Sequence, residues 1–105
     1  MRVRFTLAYD GTAYGGWQVQ PGLPTVQAAV ESALERVTGQ HSKVHGSGRT
    51  DQGVHARGQV AHADVESRMT MPTLLRALNA VLPDDIRILN CRSVTDSFHA
   101  RRSAR

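Results

Sequence analysis

The chain has 105 residues, enough for one domain with a core of moderate size. Its 40% apolar and 21% charged residues are ordinary for a soluble globular protein, and no apolar run approaches the roughly 20 residues of a membrane helix. The net charge is +4 and Lys43 is the only lysine among 13 basic residues, so the positive charge is almost all guanidinium, the group suited to phosphates and stacked bases.

Arg2 to Tyr9 reads RVRFTLAY, with Val3, Phe5, Leu7 and Tyr9 on one face and Arg2, Arg4 and Thr6 on the other. That period of two predicts a half-buried strand and lacks the continuous apolar stretch of a signal peptide. Asp10-Gly11 and Gly15-Gly16 follow as a loop, in which Tyr14 and Trp17 could either stack on bases or plug the edge of a core. From Thr25 the period becomes helical: Val26, Ala29, Val30, Ala33, Leu34 and Val37 form a stripe, Thr25 is placed to cap it, and Gly39 to stop it. Short strands are expected over 42–48 and 58–65. A second helix runs from Thr70 and Pro72 to Pro83, with Leu74, Leu75, Leu78, Val81 and Leu82 as its apolar stripe. An extended pattern returns over 85–94. The lone Cys91 can form no internal disulfide, which fits a cytoplasmic protein.

The order strand, helix, strand, strand, helix, strand predicts an α+β fold of the ferredoxin-like βαββαβ type, an antiparallel sheet with two helices on one face.

GSGRTDQGVHA, residues 46–56, lies between the two middle strands. Two extended residues apart, Arg49 and Asp51 would project to the same side. A neighbouring guanidinium keeps a carboxylate ionised, so Asp51 suits a nucleophile or an electrostatic stabiliser better than a general acid. A tight hairpin, with Asp51 accepting backbone hydrogen bonds and Gly53 at positive φ, accounts for the same residues. His41 and His45 are four apart, but Gly39 and Gly46 argue against the single helix that a metal pair would need, and no further ligand cluster completes a set. Ser47, Asp51 and His55 lack the nucleophile elbow of a hydrolase.

GRTDQGVHA closely resembles the signature of the tRNA pseudouridine synthase A family. Tyr9-Asp10-Gly11-Thr12 with Gly16-Trp17-Gln18 and Gln20 resembles that family's N-terminal pattern, and Phe98-His99-Ala100-Arg101 resembles its F-x-A-R element. The gaps between these three motifs match as well. The resemblance implies a homodimeric enzyme, free of metal and organic cofactor, that isomerises uridines thirty-eight to forty in the tRNA anticodon stem-loop. It implies that Asp51 is the catalytic aspartate and Arg49 the residue that fills the space of an everted base or holds its phosphate. His55, Arg57 and Arg101 are further expected RNA contacts. Family members are more than twice this length, so residues 1–105 are expected to form the N-terminal, Asp-bearing half. The second half, with the tyrosine that packs on the base, is then absent from this chain. Two rival readings are a non-catalytic ferredoxin-like RNA-binding module and an assembly half with an exposed apolar face.

Overall fold

The computed structural model describes residues 1–18, 20–48, 55–95 and 97. Strands β1 (Arg2–Tyr9), β2 (His45–Gly46), β3 (Ala56–Asp64) and β4 (Ile86–Val94) form one antiparallel sheet in the order β2-β3-β1-β4. Helices α1 (Val26–Thr38) and α2 (Met71–Val81) complete the βαββαβ order, and a 3-10 turn at Gly11–Ala13 follows β1.

The periodicities act as anticipated. Along β1, buried residues alternate strictly with half-buried ones, so that Val3, Phe5, Leu7 and Tyr9 enter the core. They meet Val26, Val30, Ala33 and Leu34 of α1 and Leu74 and Leu78 of α2 in one apolar cluster. Each fully buried leucine, valine or phenylalanine in that cluster contributes about 1.5–3 kcal/mol by leaving water. Thr25 caps α1 by accepting from the Ala28 N–H, and Gly39 ends it in the left-handed region at φ 82°. Thr70 caps α2 with Pro72 in its first turn. Trp17 and Tyr14 are buried, which settles their role as core plugs.

Three details differ from the periodicity reading. The strand expected over 42–48 shrinks to His45–Gly46, because the chain before it is held by α1 instead of a neighbouring strand. There Gln27 Nε2 donates to the Val44 carbonyl at 3.0 Å, and Glu31 Oε2 accepts from the Val44 N–H at 2.9 Å. β3 begins two residues earlier than expected, at Ala56. Finally, β1 faces two irregularities. Leu89 is an extra residue where Thr6 pairs with Asn90 but Leu7 pairs with Ile88, and Arg57 and Gly58 together stand opposite Ala8.

The other face of β1 is cationic. Arg4 is directly opposite Arg92 on one side and His62 on the other, and Ala8 is opposite Arg87. Arg2 is neutralised by a two-pronged bond to Asp64, with Nε–Oδ1 at 2.8 Å and Nη2–Oδ2 at 3.1 Å. Among the described residues, Arg4, Arg87 and Arg92 have no carboxylate partner. His45 and His62 stack with ring centroids 4.8 Å apart. His41 precedes the strand outside any helix and His45 lies in β2, so these two do not share a helical face.

Candidate active site

The C-terminal end of β1, the N-terminal ends of β3 and β4, and the end of β2 all meet at one edge of the sheet, because β1 and β2 run opposite to β3 and β4. The Asp10-Gly11-Thr12 turn and the described ends of the 46–56 segment, Gly48 and His55, therefore lie toward that edge. Tyr9, Asp10, His55, Arg57, Asp85 and Arg87 line an open cleft of about 410 Å3 at that edge. A larger groove of about 600 Å3, lined by Val37, Thr38 and residues 66–69, shares none of these residues.

Each wall of the cleft has a local cause. Asp10 ends β1 and folds back on its own chain: Oδ1 accepts from the Thr12 hydroxyl at 2.6 Å and from the Thr12 N–H at 3.0 Å. The Thr12 hydroxyl bond and then the Thr12 amide bond hold the Asp10 carboxyl below its ordinary value. The Asp10 N–H donates to the Asp85 carbonyl at 2.9 Å, fastening β1 to the turn before β4. Asp85 Oδ1 accepts from the Tyr14 hydroxyl at 2.6 Å, and burial followed by that bond pushes the Tyr14 phenol up.

His55 reaches across to the β1 turn. The Gly11 N–H donates to His55 Nδ1 at 2.9 Å, while Asp10 Oδ1 lies 3.1 Å from the same nitrogen. These two neighbours require opposite states of one atom. The backbone N–H has a fixed direction and points at Nδ1, so the imidazole here is the neutral form with its proton on Nε2. Protonation would exchange the Gly11 bond for an ion pair with Asp10.

On the other side of the motif, Gly46 lies under the Trp17 indole. A Cβ at Gly46 would stand 2.7 Å from Trp17 Cε2 and Nε1, so only glycine fits. Gln59 then binds the next two residues: its Oε1 accepts from the Ser47 hydroxyl at 2.9 Å, and its Nε2 donates to the Gly48 carbonyl at 2.6 Å.

Of the residues expected to carry function, His55 and Arg57 are brought to the cleft, both exposed. Arg57 sits in the irregularity opposite Ala8, where an extra residue redirects the strand. Arg49, Asp51 and Arg101 lie outside the described residues, as do Gly53 and the Phe98–Arg101 motif. Asp10 and Gln59 had no role assigned from sequence. The Asp-Gly-Thr triplet did signal a side-chain turn, whereas Gln59 offered no signal, because its partners are 11 and 12 residues away.

Residues 6–101 match the family model described as tRNA pseudouridine synthase. The chain belongs to that family. Among its curated relatives, the tRNA pseudouridine synthase A of Maridesulfovibrio salexigens is 54% identical over 103 residues, covering 98% of this chain and 38% of the relative. The enzyme of the same name from Brevibacillus brevis is 55% identical over 100 residues, covering 95% of this chain and 41% of the relative. That from a Bradyrhizobium species is 50% identical over 105 residues, covering 99% and 43%. The chain thus spans about two fifths of the length of these pseudouridine synthase A relatives. No helix among the described residues is long and apolar enough to cross a membrane.

Proposed function

We propose that this chain is the Asp-bearing N-terminal half of a cytoplasmic tRNA pseudouridine synthase, ferredoxin-like in fold, with Asp51 as its catalytic aspartate. Its substrate is the anticodon stem-loop at uridines thirty-eight to forty. A second half completes the cleft, and the whole enzyme works as a homodimer. The carrying observation is the family match over residues 6–101, a span that includes the GRTDQGVHA segment.

The chemistry gives that segment its purpose. Pseudouridine formation breaks the bond from uracil N1 to ribose, turns the base, and rejoins it through carbon five. An ionised carboxylate serves this by adding to the ribose or the base, or by removing a ribose proton. The target base must first leave its stack, at a cost of a few kcal/mol. Arg49 fills the vacated space or holds the adjacent phosphate, and keeps Asp51 charged. His55, Arg57 and Arg101 contact RNA. Arg4, Arg87 and Arg92, which have no carboxylate partner among the described residues, support a polyanionic partner, since such guanidinium groups can meet phosphates.

The non-catalytic module receives less support. Such modules stack bases on exposed sheet aromatics, yet Phe5, Tyr9, Tyr14 and Trp17, the aromatic residues among those described, are all buried. The large apolar residues exposed among the described ones are Met1, Leu23 and Leu89, on three separate segments.

The test is Asp51→Ala in the complete enzyme, with tritium release from tRNA labelled at carbon five as the readout. Release should disappear while tRNA binding persists, because phosphate contacts carry most of the affinity. A variant that still turns over would remove Asp51 from the reaction. Residues 1–105 expressed alone should release no tritium, having only one wall of the cleft.

A further inference from the structure

We infer that Arg4, Arg92 and His45 form a phosphate-binding row on the sheet face turned away from the core, and that His45 takes up a proton when RNA binds there. The inference deepens the proposed function and rests on its tRNA substrate. Its basis is the register. His45 is paired with His62, His62 with Arg4, and Arg4 with Arg92, so one residue from each of β2, β3, β1 and β4 stands in a single line. Directly paired residues of antiparallel strands share a face. Val3 and Phe5, on either side of Arg4, are the ones that turn into the core. A line across four strands is about 14 Å long, which suits an extended polyanion better than a small one.

The charges around the line are accounted for strand by strand. On β1, Arg2 is occupied by the Asp64 carboxylate of β3, and the amino terminus lies at the same end, where the Met1 carbonyl accepts from the Val65 N–H. On β4, Arg87 lies beyond Asn90. Before β2, Lys43 is exposed, while Glu31 of α1 bonds the Val44 N–H and Gln27. Thr6, Val60 and Asn90, in the adjoining line, carry no charge. His45 and His62 stack with ring centroids 4.8 Å apart and planes 17° from parallel. His62 is only 2% exposed, whereas His45 and Arg4 are half-buried and Arg92 is exposed. An anion therefore meets the two arginines and the His45 ring, with His62 as the platform behind that ring. Imidazole is the group here that changes charge near neutrality. A phosphate beside His45 favours its protonated form, so the bound protein holds that proton more tightly than the free protein does. Binding then strengthens as pH falls through the range around about 6.5, and levels off once the free ring is charged too. Two imidazolium rings at this distance, next to Arg4, would repel each other, so uptake stops at about one proton.

The experiment compares the wild type with His45→Gln, His45→Arg, Arg4→Ala and Arg92→Ala in the complete enzyme. It measures affinity for an unmodified tRNA transcript at fixed salt, from about pH 8 to about pH 5.5, by filter binding. Calorimetry in two buffers of different ionisation enthalpy counts the protons taken up. Wild-type affinity should rise about 3- to 10-fold between about pH 7.5 and about pH 6, with uptake of up to about one proton. His45→Gln should flatten that rise to less than about twofold and remove most of the uptake. His45→Arg is charged throughout, so it should bind at about pH 7.5 as tightly as the wild type does at about pH 6, again without a slope. A purely structural histidine would make both variants weaker alike, and either one decides the question should the other fail to fold. If both His45 variants keep the wild-type slope and uptake, the proton linkage is overturned and tRNA stands as the substrate. If Arg4→Ala and Arg92→Ala both bind with wild-type affinity, the row itself is overturned. If the complete enzyme binds no tRNA at any pH, the row and the proposed function fall together.

Discussion

Gly46 shows how one missing side chain supports a site. The Trp17 ring occupies the space a Cβ would need, and a fused ring cannot yield as a flexible chain does. Gly46→Ala should therefore destabilise the fold by about 1–3 kcal/mol, the usual cost of overpacking, as read from denaturant midpoints. An unchanged midpoint would mean that the indole moves aside freely. A second residue-scale expectation concerns acid. The Arg2 bond holds the Asp64 carboxyl below its ordinary value. A carboxylate that binds its proton more weakly when folded stabilises the fold above its unfolded pKa, and that contribution disappears as pH falls through the folded one. Stability should be level above about pH 5 and decline below about pH 4, and Asp64→Asn should make that decline slightly shallower. Acid titration followed by circular dichroism checks it; superimposable curves would show the exposed pair to be worth nothing. At this scale, sequence was least informative. The Asp10 turn was legible in its own triplet, but His55 meeting Gly11 spans 44 residues, and no local pattern encodes that distance.

Elements were read far better, for reasons visible in the individual cases. β1 shows a pure period of two with charge on one face and core on the other, so its limits coincide with the anticipated ones. α1 and α2 carry threonine caps and, at one end, a left-handed glycine, which are local signals. β2 was overestimated because an extended, apolar-spaced stretch looks the same whether its backbone bonds a strand or, like Val44, a helix side chain. The Leu89 irregularity was equally hidden, being a matter of register between strands. Beside it, Asn79 of α2 takes both backbone groups of Ile88, donating to its carbonyl at 2.9 Å and accepting from its N–H at 2.8 Å. Asn79→Ala would strand two polar groups of a buried residue and should cost about 1–3 kcal/mol. Hydrogen exchange would show the loss concentrated in β4. Uniform loosening of the whole sheet would contradict this local account.

For the molecule as a whole, charge placement carries the argument. The helices and one side of β1 enclose the apolar cluster, which leaves arginines as the material of the other side. If that surface lies against tRNA in the complete enzyme, Arg4→Ala and Arg92→Ala should each weaken binding. Each phosphate contact removed should also lower the slope of log affinity against log salt by about 0.7–0.9. Filter binding at several salt concentrations measures this, and an unaltered slope in both variants would move the RNA elsewhere. Composition had already pointed to guanidinium in place of ammonium, but only the register sets Arg4 opposite Arg92.

The burial of Trp17 over Gly46 has a practical outcome. These 105 residues hold one tryptophan, and its indole touches the hairpin arm two residues before the carbonyl that Gln59 grips. Emission from these 105 residues under selective excitation thus originates beside that arm. If the proposed reaction holds in the complete enzyme, and tRNA docking shifts this arm, the colour and intensity of that emission should change, which stopped-flow fluorescence would read.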